Sequence, residues 1–98
     1  MKVRFLPAAD AELADAVAYY DGLSAGLGAE FAAEVRDSLG RIKEYPEAWQ
    51  LLGPRVRRYR LKRFPGLVYR LLQSEIVVLA VMHLHRQPCY WKGRAKQV

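Results

Sequence analysis

The chain has 98 residues, just over half of them apolar, and a formal net charge of +6 at neutral pH. This length provides material for one hydrophobic core, which predicts a single domain over residues 1–98. No apolar run reaches the roughly 18 residues that span a bilayer, the N-terminus lacks the apolar stretch of a signal peptide, and a lone cysteine excludes an internal disulfide. We therefore expect a cytoplasmic protein with no membrane contact.

Charge is divided unevenly along the chain. Residues 1–54 carry five Lys or Arg against nine Asp or Glu, a net charge of −4. Residues 55–98 carry eleven against one, a net charge of +10. A basic block of this size is typical of a surface that binds nucleic acid or an acidic protein, because cations attract phosphates and carboxylates. The alternative is a solvated polar face, which would be favoured for a single short basic strand.

The first half of the chain predicts one strand and two helices. Val3 and Phe5 alternate with charged residues, which indicates a short edge strand over residues 2–6. A proline then begins an apolar repeat at helical spacing, which predicts a helix over residues 7–22. After a glycine-rich turn, a second repeat predicts a helix over residues 27–45, ended by a proline. The pair should form an antiparallel hairpin. Its expected core residues are Leu13, Val17, Tyr20, Phe31, Val35, Leu39 and Ile42.

The second half predicts a three-stranded antiparallel meander over residues 56–62, 67–72 and 75–82. The apolar last strand suits a central position covered on both faces, with Val78 and Leu79 in the middle of the sheet. A buried helix is the competing interpretation, and the Val and Ile content disfavours it. The predicted class is therefore α+β, in the order β-α-α-β-β-β, with the helices on one face of the sheet.

The last predicted strand leads into histidines, cations and aromatic rings. Simple alternation places Leu79, Val81, His83 and His85 on one face, so both imidazoles could reach a common ligand. The full cluster comprises His83, His85, Arg86, Tyr90, Trp91, Lys92 and Arg94, beside Arg58, Arg60, Lys62 and Arg70. Cations hold phosphates, aromatic rings stack on bases or anchor interfaces, and an imidazole or a phenol can transfer a proton. RNA cleavage, nucleic-acid binding and protein docking all stay open.

Other kinds of site are disfavoured. His83, His85 and Cys89 lack a fourth ligand and a familiar zinc spacing, and a core histidine that closes the strand is the simpler interpretation of His83. No serine lies in a strand-to-helix elbow, and no glycine loop could cradle a phosphate. We therefore expect no metal, no cofactor and no classical hydrolase chemistry.

The order of elements and three segments resemble the RelE/ParE superfamily of bacterial type II toxins, known from plasmid stabilization systems. The segments are EFAAEVRDSLGRIKEYPEAW, VRRYRLKRFPGLVYR and EIVVLAVMHLHRQPCYW, and the resemblance covers essentially the whole chain. It implies a RelE/ParE-like fold and a growth-inhibiting toxin, encoded beside an antitoxin that binds it tightly. The RelE branch cleaves messenger RNA in the ribosomal A site, whereas the ParE branch inhibits DNA gyrase. A third hypothesis is an inert, antitoxin-bound regulator.

The RelE branch would assign catalysis to Arg86, Tyr90 and His83. That branch also carries an arginine just ahead of the LVY strand, and Pro65-Gly66 stands there instead. Loss of a fixed cation beside a transferring phosphate typically costs a factor of about 100 or more.

The ParE branch is favoured by the resemblance, although the HRQPCYW tail departs from the usual ParE ending. The pattern that matches is Tyr69-Arg70 followed by a strand that ends in His83. This branch implies a protein that binds gyrase and is not an enzyme. The residues then expected to bind the target or the antitoxin are Arg58, Arg60, Lys62, Arg70, His85, Trp91 and Lys92.

Overall fold

A computed structural model describes residues 1–62, 66–82 and 90–98. Its elements are β1 (Lys2–Phe5), α1 (Pro7–Leu23), α2 (Leu27–Glu44), β2 (Gln50–Gly53), β3 (Val56–Arg60), β4 (Gly66–Leu71), β5 (Glu75–Val81) and α3 (Lys92–Ala95). The predicted α+β class is confirmed, and the bounds of the predicted elements differ from the observed ones by at most two residues.

The sheet has the strand order β1-β5-β4-β3-β2. Strands β3, β4 and β5 form the predicted antiparallel meander, and β1 pairs in parallel with β5 at the predicted edge. The sheet nevertheless has five strands. The additional strand is β2, which was not predicted and which pairs antiparallel with β3. The sequence of β2, QLLG, lacks the alternation of polar and apolar residues that marks a half-buried strand. Its pairing follows from the turn before β3, where Arg55 adopts a left-handed φ of 60°.

The helical hairpin covers one face of the sheet, as predicted. Phe31, Val35 and Ile42 of α2 are buried against the sheet. The other expected core residues of the hairpin pack partly buried against them, namely Leu13, Val17, Tyr20 and Leu39. The predicted register of both helices is therefore confirmed.

Gly28 allows the two helices to approach closely. A Cβ atom at this position would lie 2.5 Å from the carbonyl oxygen of Val17 and 2.9 Å from the Cβ of Asp21. The Asp21 carboxylate accepts hydrogen bonds from the backbone N–H groups of Gly26 and Gly28, at 3.0 and 3.3 Å. The turn between the helices is thus held by one side chain at the end of α1.

The opposite face of the sheet is covered by the C-terminal segment, residues 90–98. Trp91 packs there with Val56, Val68, Val77 and Leu79 from three neighbouring strands. The prediction that β5 is central and covered on both faces is confirmed, since Val78 and Leu79 are both fully buried.

A β-bulge interrupts the pairing of β4 with β5. Tyr69 lies opposite Val78, and its neighbour Val68 lies opposite Ala80. Leu79 is therefore an extra residue in β5, and the faces of the strand exchange at this point.

The bulge bears on the prediction that alternate residues of the last strand share one face. Leu79 packs in the cluster that contains Trp91, whereas Val81 packs in the cluster beneath the helices. The prediction that Leu79 and Val81 share a face is wrong, because one extra residue shifts the alternation. His83 and His85, the other two residues of that prediction, lie outside the described residues.

Tyr69 is a fully buried tyrosine beneath the hairpin. Its hydroxyl donates a hydrogen bond of 2.7 Å to the carbonyl oxygen of Pro46. Burial raises the pKa of Tyr69 to about 12, a rise that the nearby Arg57 cation partly opposes. The neutral phenol is therefore the form that the folded protein holds.

Tyr69 should make the folded protein sensitive to alkali. Because its folded pKa lies above the unfolded value of about 10, its stabilisation is complete below pH 10 and is lost as pH rises toward 12. Between these limits the free energy of unfolding should fall by about 1 to 3 kcal/mol more in the unaltered protein than in Tyr69→Phe. Urea denaturation at several pH values measures the difference. Tyr45→Phe is the control, because Tyr45 is 58% exposed, and its free energy of unfolding should change with pH as in the unaltered protein. The same pH dependence in Tyr69→Phe and in the unaltered protein would contradict the prediction.

Candidate functional site

The predicted site residues fall into two groups. His83, His85 and Arg86 lie outside the described residues. The remaining ones lie on β3, on β4, directly after β3, or in the C-terminal segment, and they are Arg58, Arg60, Lys62, Arg70, Tyr90, Trp91 and Lys92.

Arg58 and Arg70 lie on the sheet face that the C-terminal segment covers. Arg58 is directly opposite Val68 and Arg70 is directly opposite Val56, and both valines belong to the cluster around Trp91. Each arginine is half-buried, and its Nε atom is buried without a hydrogen-bond partner among the described residues. Such buried donors favour an anionic or hydrogen-bond-accepting ligand nearby.

Arg70 also holds the C-terminal segment on the sheet. Its Nη1 atom donates a hydrogen bond of 2.6 Å to the carbonyl oxygen of Ala95 in α3. The arginine therefore serves the fold with one nitrogen while another nitrogen has no partner in the described part of the chain.

Arg60 and Lys62 are exposed at the end of β3 and just beyond it. Tyr59 and Leu61, which alternate with them along the chain, pack beneath the helices. The backbone N–H of Lys62 donates a hydrogen bond of 2.7 Å to the carboxylate of Glu34 in α2. This bond fixes the chain where the strand ends, while the ammonium group of Lys62 stays in solvent.

Tyr90 is tied to the end of β5. Its hydroxyl donates a hydrogen bond of 3.2 Å to the carbonyl oxygen of Val81. The guanidinium carbon of Arg94 lies 5.1 Å from the centre of the Tyr90 ring, a distance at which a cation is attracted to the π face. The phenol proton is therefore engaged with the sheet in this structure.

Trp91 is a core residue, and its role in binding a target or an antitoxin stays a prediction. Only 6% of the residue is exposed, because its ring covers the apolar side chains on the second face of the sheet. Lys92, the next residue, begins α3 and is exposed. The surface available to a partner here is thus mainly cationic, with the edge of an apolar cluster beneath it.

The ion pair between Glu12 and Arg94 was not predicted. The two side chains form a bidentate contact, with both N···O distances at 2.9 Å, and each is only 15% exposed. Arg94 also donates to the carbonyl oxygen of Leu79 at 3.0 Å, and Glu12 accepts from the N–H of Val81 at 3.1 Å. Hydrogen bonding of Arg94 to the Glu12 carboxylate is the main reason that the pKa of Arg94 is raised.

This pair satisfies backbone groups that flank the bulge. Strand β1 pairs with β5 only as far as Val78, where the chain turns into α1. Beyond that point Glu12 and Arg94 take the place of a neighbouring strand for Leu79 and Val81. The sequence gives no direct signal for it, because the two residues are separated by 82 positions.

Two further kinds of feature, a metal-binding group and a membrane-spanning helix, are absent from the described residues. They contain no group of three or more His, Cys, Asp or Glu side chains placed to bind a metal ion. Within the same ranges, no helix has the length and apolar character needed to cross a membrane. Convergence of Arg86, Tyr90 and His83 on one phosphate stays a prediction, since two of these three residues lie outside the described ranges.

Comparison with known proteins first identifies the class of fold. A solved structure described as the chromosomal ParDE TA system from P. aeruginosa is similar, with a TM-score of 0.62 and 21% sequence identity. The similarity covers 87% of this chain and 97% of that chain, and at this identity it shows a shared fold. Comparison with curated proteins gives no match.

A sequence comparison identifies the family. The model of the family described as "ParE toxin of type II toxin-antitoxin system, parDE" matches residues 3–88. Because the match spans most of the 98 residues, the chain belongs to the ParE toxin family. Trp91 and α3 follow the last matched residue.

Proposed function

We propose that this ParE-family chain inhibits growth in the cytoplasm by binding DNA gyrase, and that a cognate antitoxin neutralises it. Family membership supports the toxin role. The observation that favours a binding function is the set of cations in the second half of the chain: exposed Arg60 and Lys62 line one groove, and exposed Lys92 lines another with half-buried Arg70. Cations of this kind attract acidic regions of a protein partner and speed their association.

The alternative is a ribosome-dependent messenger RNA endonuclease, which needs a proton-transferring group at a cationic site. Tyr90 is the described candidate for that group, and its hydroxyl is hydrogen-bonded to Val81. The arginine expected ahead of the LVY strand is absent, which favours binding over phosphate chemistry. An inert, antitoxin-bound regulator would show neither activity.

The variant Tyr90→Phe separates the two active functions. In a nuclease, loss of the phenol proton should reduce cleavage of messenger RNA by roughly 10² to 10⁴. In a gyrase inhibitor the same change should leave the inhibition of supercoiling nearly unchanged, because the ring stays and the hydrogen bond to Val81 is a neutral one. We expect the second result. The measurement compares gyrase supercoiling with translation-dependent messenger cleavage, using purified protein in both assays.

Charge variants complete the test. Three single variants, Arg60→Ala, Lys62→Ala and Arg86→Ala, should each weaken inhibition of gyrase by a factor of roughly 5 to 100. Lys43→Ala is the matched control, because Lys43 is an exposed cation in the last turn of α2, outside the predicted site. The proposal would be overturned if the unaltered protein cleaved messenger RNA and left gyrase unaffected, and if Tyr90→Phe abolished that cleavage.

A further inference from the structure

A groove of about 460 Å³ lies between the β2–β3 turn and the C-terminal segment. Its apolar lining includes Leu52 from β2, Val56 from β3 and Trp91. Trp91 and Val56 belong to the buried cluster on the second face of the sheet, and Leu52 packs against that cluster. The floor of the groove is therefore a continuation of the apolar core to the surface.

Three cations surround this floor. Arg70, Lys92 and Lys96 line the groove, and no described lining residue is acidic. Lys92 and Lys96 are exposed, whereas the half-buried Arg70 presents a buried Nε atom with no hydrogen-bond partner among the described residues. An apolar floor with a purely cationic border suits a ligand that carries both an apolar group and an anion.

Two other grooves among the described residues differ in charge. The groove beside α2 is lined by Glu30, Glu34 and Asp37 as well as by cations. The groove near Met1 is lined by Glu47 as well as by arginines. Three carboxylates balance three cations in the groove beside α2, and Glu47 offsets one of the two arginines in the groove near Met1. The groove at Trp91, with three cations and no described carboxylate, is therefore the one of these three that most favours an added carboxylate.

We infer that this groove binds a segment of the antitoxin, with a large apolar side chain over Trp91 and a carboxylate beside Arg70 and Lys96. The inference rests on the proposed toxin function, which supplies the antitoxin as partner. A protein segment is favoured over nucleic acid because a phosphate backbone would bind the cations but leave the apolar floor uncovered. An Arg–carboxylate contact at the edge of an apolar cluster is also a strong, partly desolvated interaction.

The groove also provides a means of distinguishing one antitoxin from another. Trp91, Lys92 and Lys96 all follow residue 88, the last residue that matches the ParE family model. These three lining residues therefore lie outside the segment that matches the family model, whereas Arg70 lies inside it. A partner without a suitably spaced apolar residue and carboxylate would leave the Nε atom of Arg70 desolvated and without an acceptor, which disfavours that partner.

Tryptophan fluorescence can test the inference. The chain has two tryptophans, so Trp49→Phe leaves Trp91 as the sole reporter, and Trp49 itself packs on Tyr59 beneath the helices. The probes are the full-length product of the adjacent reading frame and synthetic 15-residue peptides that tile its sequence. We expect a peptide containing apolar and acidic residues to change the emission of Trp91. Replacement of its carboxylates by amides should weaken binding about tenfold or more.

Charge-reversal variants locate the contact. Lys92→Glu combined with Lys96→Glu should weaken binding of the full-length antitoxin by about tenfold or more, and both positions are exposed, so the fold should be retained. Lys43→Glu, an exposed cation on α2, is the matched control and should leave the affinity unchanged.

The outcomes separate this inference from the function on which it rests. If the double variant and the Lys43 control bound the antitoxin equally tightly, the groove would not be the antitoxin site, and the proposed toxin function would still stand. No binding of the antitoxin to the unaltered chain would overturn both. A change in Trp91 emission caused by single-stranded oligonucleotides and by none of the peptides would overturn the inference in favour of a nucleic-acid site.

Discussion

Replacement of Arg94 by methionine should lower the free energy of unfolding by about 3 to 5 kcal/mol, the usual effect of removing one partner from a buried ion pair. Methionine keeps much of the apolar stem of Arg94, so the loss comes from the guanidinium group. Without it, the carboxylate of Glu12, which is 15% exposed, loses the bidentate cation that offsets its desolvation. The carbonyl oxygen of Leu79 also loses the donor that replaces a neighbouring strand.

Urea denaturation followed by circular dichroism measures this effect. Arg4→Met is the matched control, since Arg4 forms a single-contact pair with Glu75 in which the two side chains are 49% and 27% exposed. That exposed pair should contribute no more than about 1 kcal/mol. Equal losses for the two methionine variants would show that the Glu12–Arg94 pair has no special role in stability.

A double variant tests whether the Glu12 carboxylate that is left after the removal of Arg94 causes the loss of stability. In Glu12→Gln with Arg94→Met, the glutamine oxygen can still accept a hydrogen bond from the N–H of Val81, and no buried charge is left. This variant should be more stable than Arg94→Met alone, because the desolvated carboxylate is gone. A double variant less stable than either single variant would exclude that explanation.

Replacement of Phe31 by alanine should cost about 3 to 5 kcal/mol, because it removes a large buried ring and leaves a cavity. Phe31 is 1% exposed and its ring centre lies 5.1 Å from that of Tyr20, so the side chain joins the two helices as well as the helices and the sheet. For a small domain with a total stability of about 5 to 15 kcal/mol, this loss is a large fraction. The variant should therefore unfold at much lower urea concentration.

Leu23→Ala is the control for Phe31. Leu23 is the last residue of α1 and is 62% exposed, so its truncation should change stability by no more than about 0.5 kcal/mol. An unchanged denaturation midpoint for Phe31→Ala would mean that α2 does not present this face to the sheet.

The charged surface was predictable in composition but not in detail. The excess of cations after residue 54 is visible in the sequence, and Arg60, Lys62 and Lys92 are exposed as a binding surface requires. The burial of Trp91 was not predictable, because it depends on the apolar face that β3, β4 and β5 create together. An isolated aromatic residue in a basic tail has the same local pattern whether it is exposed or buried.

Local patterns were sufficient for the helices and for the meander. Helical spacing placed Phe31 and Val35 on the buried face, because a helix buried on one side imposes a regular period on its own residues. The run of Val and Ile residues indicated that β5 is an interior strand, because a strand covered on both faces is apolar throughout. Contacts between distant segments decided the rest. The bulge at Leu79 depends on the register of β4, the strand β2 depends on β3, and Glu12 meets Arg94 across 82 positions of sequence. None of these contacts leaves a period in the local sequence, since each joins segments whose side chains or backbone groups satisfy one another only after the sheet has formed.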